Sequence, residues 1–208
     1  MADEHESCAV AHGAAPAASD AQASAERTLV AVFASPVSGF LLRYGADAGF
    51  RPLLVEPDVG RAAGAAIAGF TVSQAIPEDL EGADVVVTDH HRDELGAVLR
   101  DALATKARWI GVMGNPRVAA PHIPALEALG VPPGDIARVH RPIGLNIGSR
   151  IPPEIAVATL AGLIADRNSR PGGFFYDPCP ERTRLTHRHD PAPDRRGRRL
   201  RPRHRGGG

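Results

Sequence analysis

Short apolar runs alternate with segments of helical length between residues 28 and 170, and this alternation constrains the fold more than any other feature. A continuous apolar run is typical of a strand that is buried on both faces, as in a parallel sheet. Such runs lie at 28–33, 52–55, 83–88 and 109–113. Segments with the composition or spacing of helices lie at 38–49, 60–69, 93–105 and 118–129, and a last one begins at 152. The alternation predicts an α/β fold: a single Rossmann-like domain with a mostly parallel sheet flanked by helices.

The two ends of the chain differ from this middle part. Residues 1–27 and 171–208 have no apolar periodicity, so we predict a disordered lead and a disordered Arg/Pro-rich tail around a domain at 28–170. Residues 178–208 hold ten arginines and three acids, which allows two interpretations of the tail: an electrostatic arm or an extension without function. The whole chain has a formal net charge of zero, which excludes a uniformly basic protein and makes nucleic acid an unexpected partner.

Composition also bears on the compartment. No stretch approaches the roughly 18 apolar residues of a transmembrane helix, so no membrane partner is expected. The first residues lack the basic and apolar regions of a secretory signal. The only two cysteines are Cys8 and Cys179, both in polar ends, which does not suit a disulfide framework. We therefore expect a cytoplasmic protein.

The first strand, turn and helix, followed by a second strand, have the order of a dinucleotide-binding unit. Glu56 lies at the end of the second strand, where such a unit places the acid that binds a ribose hydroxyl. Of the glycine pattern in the turn only Gly39 remains, whereas Ala34 and Pro36 obstruct the approach of a pyrophosphate. The alternative is a turn that only packs, so we expect NAD(P) binding to be weak, with a Kd worse than about 100 μM.

The segment 88–93 follows the third predicted strand directly and concentrates charged and polar side chains. Asp89, His90 and His91 would stand at the carboxyl end of that strand, where parallel sheets bind ligands. We interpret them as binding residues, with the alternative that Asp89 or Asp93 only caps the next helix. Adjacent histidines in a strand or turn tend to point apart, so no metal site is predicted.

Two later loops are rich in glycine and arginine. We predict an anion-binding centre among Gly114, Arg117, Gly144, Gly148 and Arg150, because loops after neighbouring strands converge and the helices expected near 118 and 152 would direct N–H groups toward it. Replacing Arg150 with alanine would then weaken ligand binding by about 1.5–3 kcal/mol. The alternatives are a tight turn at the first loop and a simple ion pair between Arg150 and Glu154.

Four segments between residues 109 and 157 resemble the Rossmann-type domain of the XdhC/CoxI family. This family comprises accessory proteins of molybdenum hydroxylases such as xanthine dehydrogenase and carbon monoxide dehydrogenase. The four segments are WIGVMG at 109–114, LGV at 129–131, IARVH at 136–140 and PIGLNIGSRIPPEIAV at 142–157. The resemblance covers about 28–168 and is most specific in the last segment. It implies binding of the molybdenum cofactor (molybdopterin), its transfer to a molybdenum hydroxylase client, and a cysteine desulfurase and a second copy of the chain as further partners.

The candidate cofactor-binding residues come from all of these segments. They are Gly39, Glu56, Asp89, His90, His91, Gly111, Gly114, Arg117, Gly144, Asn146, Gly148 and Arg150. The sequence also departs from the family pattern. Asn146 stands where the family has aspartate, Asn115 and Pro116 replace its Ser-Arg pair, and we expect no separate N-terminal family domain.

The resemblance implies a maturation factor for a molybdenum hydroxylase, and from the residues themselves we do not expect an enzyme. No nucleophile lies beside a base, and no phosphate loop is complete. Two alternatives stay open: an NAD(P)-binding oxidoreductase or dinucleotide sensor with a degenerate glycine loop, and a family remnant with a scaffold role.

Overall fold

A computed structural model describes residues 27–115 and 117–173. The predicted disordered lead and nearly all of the predicted tail lie outside these residues. The described residues form one six-stranded sheet in the order β3-β2-β1-β4-β5-β6, and every pair of neighbours is parallel. The strands are β1 Thr28–Val32, β2 Arg51–Val55, β3 Val72–Ser73, β4 Asp84–Val87, β5 Trp109–Val112 and β6 Val139–His140. This confirms the α/β, Rossmann-like fold class.

Within residues 27–115 and 117–173, six helices connect or follow the strands. They are α1 Pro36–Asp47, α2 Val59–Ile67, α3 Leu95–Ala104, α4 His122–Glu127, α5 Pro133–Ile136 and α6 Pro152–Arg167. Among the described residues no helix is long and apolar enough to cross a membrane.

Several elements differ from the sequence-based prediction. The helix expected over 118–129 is α4, which begins only at His122, because Pro121 disfavours helical geometry in the residue before it. Strands β3 and β6 were not predicted, since two residues are too few to show a period. The short helix α5 was also missed. Gly130, at φ +74°, follows α4 in the conformation that glycine adopts most readily, as expected for the end of that helix.

The core consists of two layers, one on each face of the sheet. Leu95, Leu99 and Leu126 of α3 and α4 pack against one face, and α1 and α6 cover the other. All five residues of β1 are buried, as befits a strand with neighbours on both sides and helices on both faces. Because β1 lies between β2 and β4, the chain reverses its winding there, which is where open α/β sheets leave a crevice at the carboxyl ends.

The opposite, amino-terminal edge of the sheet is held by a buried carboxylate. Asp84 is fully buried at the start of β4 and is contacted by two guanidinium groups. Arg108 reaches its Oδ1 at 2.7 Å, and Arg167 reaches its Oδ2 at 2.8 Å. Since Arg167 is the last residue of α6, this cluster attaches the end of that helix to the central strands.

Candidate functional site

The first βα turn closes on itself through a helix cap. Ser35 is the N-cap of α1, and its Oγ accepts from the N–H of Ser38 at 3.1 Å. In return Ser38 Oγ accepts from the N–H of Ser35 at 2.8 Å, which completes a capping box. Pro36 occupies the first helical position, where its fixed φ is favourable. The helix therefore begins two residues earlier than predicted.

The backbone N–H groups of this turn are already bonded within the chain. Those of residues 33–35 donate to the carbonyl oxygen of Val55, to Oε2 of Glu56 and to Oγ of Ser38, each at 2.8 Å. Pro36 has no N–H to offer. A pyrophosphate needs free N–H groups at this place, but those of residues 33–35 donate to groups of the chain itself.

Glu56, the predicted ribose-binding acid, is fully buried. Besides Ala34, its carboxylate accepts from the N–H of Asp58 at 3.0 Å. Arg92 donates to both oxygens, at 3.0 Å to Oε1 and 3.3 Å to Oε2. Both oxygens of the Glu56 carboxylate therefore already accept hydrogen bonds from the protein, where a ribose hydroxyl would otherwise donate.

Arg92 is a site residue that sequence reasoning missed. Its guanidinium lies 4.6 Å from the centre of the Phe33 ring and also binds Glu94 at 2.9 Å. The hydrogen bond with Glu94, followed by that with Glu56, raises the pKa of Arg92 above its ordinary value, so the charge is permanent. Phe33 has φ +73°, a conformation that is strained for a residue with a side chain. The available signal was that an acid follows β2 and an arginine lies in the segment after β4, since the carboxyl ends of both strands lie at the crevice.

The segment after β4 is tied to the first turn. Thr88 Oγ1 lies 3.0 Å from the carbonyl oxygen of Phe33 and 3.0 Å from Ser35 Oγ. Asp89 Oδ1 accepts from the N–H of His91 at 2.9 Å and so closes a local turn. The predicted capping role of Asp89 or Asp93 is wrong, because α3 begins after Glu94 with no side-chain cap at all.

We expected the two adjacent histidines to point apart, but their rings lie side by side. The ring centres of His90 and His91 are 4.1 Å apart at an angle of 38°, because the turn at Asp89 folds the chain back. Burial lowers the pKa of His90, and the charges of His91 and Arg141 lower it further. No group of three or more potential metal ligands exists in the described part of the chain.

Two of the predicted site glycines serve side-chain packing. A Cβ on Gly111 would lie 2.6 Å from an atom of the Trp109 indole and 2.7 Å from Ile143. A Cβ on Gly114 would lie 2.5 Å from Nε of Arg141. The absent side chains therefore admit an indole and a guanidinium of the protein.

Arg141 and His122 form a second group that the sequence did not reveal. Arg141 donates to the carbonyl oxygens of Asn115 at 3.1 Å and Val118 at 3.2 Å, while its Nε is buried without a partner. His122 is 4% exposed, and its Nδ1 also has no partner among the described residues. Burial, and then the charge of Arg141, lowers the pKa of His122. Arg141 therefore carries a positive charge without an acidic partner among the described residues, and the lowered pKa of His122 favours its neutral form.

The remaining candidates lie on or near the loops of residues 114–118 and 141–151. Gly144, at φ +86°, lies against α6, where a Cβ would be 3.1 Å from the N–H nitrogen of Thr159. Asn146, Gly148 and Arg150 are exposed. Arg150 meets Glu154 through its backbone N–H at 3.2 Å, so the side-chain ion pair considered above does not form.

The other two candidates lie further apart in the chain. Arg117 is exposed, and its backbone N–H donates to Oδ1 of Asn115 at 2.9 Å. Gly39 stands in the first turn of α1, where a Cβ would approach only the ring of Phe70, at 4.0 Å.

A family model, described as the XdhC Rossmann domain, matches residues 29–163. This chain belongs to the XdhC family. The match covers all six strands and most of α6, so the family relationship rests on the whole sheet and not on one motif. The segment with the most specific resemblance, 142–157, forms the loop after β6 and the first part of α6.

Two proteins that resemble this chain are longer than it. The chain is 31% identical over 94 residues to the uncharacterized protein YqeB of Escherichia coli (strain K12), covering 45% of this chain and 17% of YqeB. It shares its fold with a crystal structure described as a xanthine dehydrogenase from Bacillus halodurans, with a TM-score of 0.53 and 21% identity over 69% of this chain and 44% of that one. The chain thus spans less than half the length of either relative.

Proposed function

We propose that this XdhC domain acts in the maturation of a molybdenum hydroxylase of the xanthine dehydrogenase or carbon monoxide dehydrogenase type, by holding the molybdenum cofactor for its client. Membership of the XdhC family supports an accessory role. The structural relative that is described as a xanthine dehydrogenase points toward the same group of enzymes. The client, a second copy of the chain and a cysteine desulfurase are the partners of this proposal.

One observation favours this proposal over a dinucleotide enzyme: the carboxylate of Glu56 is fully buried and bonded to Arg92 and Ala34. A Rossmann domain that binds NAD(P) keeps this acid for the ribose and the turn N–H groups for the pyrophosphate. Here both are used by the protein itself. The residues present therefore do not fit a nicotinamide dinucleotide.

The molybdenum cofactor makes different demands, since its phosphate and sulfur ligands are anionic. An anion needs cations that no carboxylate already neutralises. Arg92, Arg108 and Arg167 are each paired with a buried acid. By contrast, Arg141 has only carbonyl partners, and in the described part of the chain neither Arg117 nor Arg150 forms an ion pair.

These three arginines, at the carboxyl end of β5 and β6 and before α6, would hold the anionic groups of the cofactor. The bound cofactor supplies the molybdenum and sulfur chemistry of the client enzyme. The chain's own residues bind and orient it, and the exposed positions of Arg117 and Arg150 leave it accessible to a client.

The proposal is tested by coexpressing the full chain with an apo-hydroxylase in a host that makes the cofactor. We expect the molybdenum content and specific activity of the purified client to rise when the chain is present. The double variant Arg117→Ala with Arg150→Ala should give a smaller rise in the molybdenum content and activity of the client. Arg100→Ala is the matched control, because Arg100 is half exposed and pairs only with its neighbour Asp101.

Two results would overturn the proposal. One is an unchanged molybdenum content of the client with and without the chain. The other is a nicotinamide cofactor that copurifies with the chain in stoichiometric amount.

A further inference from the structure

A groove of about 270 Å³ lies between the β6 side of the sheet and helix α6. We name it the β6–α6 groove; the residues that line it include Trp109, His140, Gly144, Gly162, Asp166 and Arg170. It arises because β6 has only two residues and ends the sheet, so part of the sheet face beside α6 is left uncovered. The groove is separate from the crevice between β1 and β4, where the first turn and Glu56 lie.

One wall of the groove is flat and aromatic. The rings of Trp109 and His140 are stacked with their centres 5.0 Å apart and their planes within 4° of parallel. The indole lies over Gly111, which has no side chain to tilt it. Trp109 is half-buried, and His140 is exposed, so the stack is anchored on one side and accessible on the other. Such a wall favours a planar ring, because aromatic groups prefer offset stacking.

The floor of the groove is backbone where the loop after β6 meets α6. Gly144 and Gly162 touch there, and a Cβ on Gly162 would lie 3.2 Å from the Cα of Gly144. Gly144 also requires its glycine for conformation, with φ +86°. The two glycines let the loop pack directly on α6, so the floor of the groove at this point is main chain.

The rim carries two charges of opposite sign. Oδ2 of Asp166 accepts a hydrogen bond from Arg108, and no described group bonds its Oδ1, which leaves an acceptor for a ring N–H. Arg170 follows four residues later, is exposed, and forms no ion pair with any described residue. A carboxylate that accepts from a heterocycle and a guanidinium that binds an anion are both directional contacts.

We propose that the β6–α6 groove binds a flat bicyclic nitrogen heterocycle that carries an anionic substituent, the chemistry of a pterin. The volume of about 270 Å³ lies just below the usual range for small-molecule sites, about 300–1,000 Å³, so it suits one bicyclic ring and not a dinucleotide. The choice of a pterin among such heterocycles rests on the proposed function. The ring would stack on the Trp109–His140 wall, with its N–H edge toward Asp166 and its anion toward Arg170.

The test uses the only tryptophan of the chain, Trp109, as its reporter. The full chain is titrated with pterin-6-carboxylate, and binding is followed by quenching of tryptophan fluorescence and by the anisotropy of pterin fluorescence. We expect saturable quenching with the same Kd by both signals. Ala165→Phe, which fills the groove from α6, should weaken binding at least tenfold. Val157→Phe, on the same helix but 48% exposed and outside the groove, is the matched control and should bind like the wild type.

Arg170→Ala separates recognition of the anion from recognition of the ring. It should weaken pterin-6-carboxylate by about fivefold or more and leave unsubstituted pterin unchanged. Because Arg170 is exposed, this variant also keeps the test valid if circular dichroism shows that Ala165→Phe does not fold. Absence of saturable binding to the wild type, or equal affinity in Ala165→Phe and Val157→Phe, would overturn the groove proposal.

The outcome is distinguishable from that of the proposed function. A chain that raises the molybdenum content of a client but does not bind the pterin removes the groove and keeps the function. A chain that binds the pterin in the groove but has no effect on any client keeps the groove and removes the function.

Discussion

Replacing Arg92 with methionine removes the one cation that meets the buried carboxylate of Glu56 among the described residues. The wild-type guanidinium lies 3.0 Å from Oε1, and its side chain is 11% exposed against 0% for Glu56. Methionine keeps much of the aliphatic length and the packing against Phe33, so the change is mainly one of charge. Glu56 retains the N–H groups of Ala34 and Asp58, at 2.8 and 3.0 Å.

The expected loss of stability depends on which member of the Glu56–Arg92 ion pair is removed. Breaking a buried ion pair from one side typically costs about 3–5 kcal/mol, because the remaining charge stays desolvated and unpaired. The two backbone N–H groups still stabilise the carboxylate, so we expect a loss of about 3 kcal/mol for Arg92→Met. The surface pair of Arg100 and Asp101, each about half exposed, gives the comparison, and Arg100→Met should cost less than about 1 kcal/mol.

The assay is equilibrium unfolding in urea, with the free energy obtained from the midpoint and slope. The double variant Arg92→Met with Glu56→Gln removes both charges and leaves an amide oxygen to accept a backbone N–H. It should be more stable than Arg92→Met alone, although the second substitution by itself is destabilising. A loss below about 1 kcal/mol for Arg92→Met, or strict additivity in the double-mutant cycle, would refute the reasoning.

Four further outcomes are expected. Calorimetric titration with NAD(H) and NADP(H) should give Kd values worse than about 100 μM, and micromolar binding would show that the turn N–H groups are available after all. Asp84→Asn should cost about 3 kcal/mol in urea unfolding, since it leaves the two guanidinium groups at β4 without their buried carboxylate, and a change under 1 kcal/mol would contradict this. The hydrogen bond from Arg92 lowers the pKa of Glu94 below its ordinary value of 4.5. The stability that Glu94 contributes is therefore present above pH 4.5 and lost as the pH falls through the lowered pKa, so the Tm difference between wild type and Glu94→Gln should vanish in acid. Limited proteolysis should trim the chain to about residues 28–170 with its circular dichroism retained, and protection beyond residue 173 would disprove that boundary.

The sheet could be predicted from the sequence because its signals are local. Each buried strand needs a continuous apolar run, and the intervening helices repeat their apolar residues at helical spacing, so 28–33 and 93–105 were identified without any partner. Helix α6 was also expected to begin at Pro152, because proline at the first helical position loses no hydrogen bond. Local signals fail for β3 and β6, whose pairing depends on neighbours far along the chain.

The candidate site was predicted only in part. Position after a strand correctly placed Glu56 and the segment from Asp89 to His91 at the carboxyl ends, because that follows from a parallel sheet. The same reasoning assigned Gly111 and Gly114 to a ligand, whereas they accommodate Trp109 and Arg141. A missing Cβ looks the same in sequence whether a ligand or a side chain takes its space.

The sequence by itself determined the class of fold, because apolar period and turn residues act over a few positions. The tertiary structure decided which groups meet in the crevice. Glu56 and Arg92 are 36 residues apart, and only the reversal of strand order at β1 brings them into contact. The stack of Trp109 on His140 likewise depends on β6 pairing with β5, since no short-range pattern relates two rings that meet across a sheet.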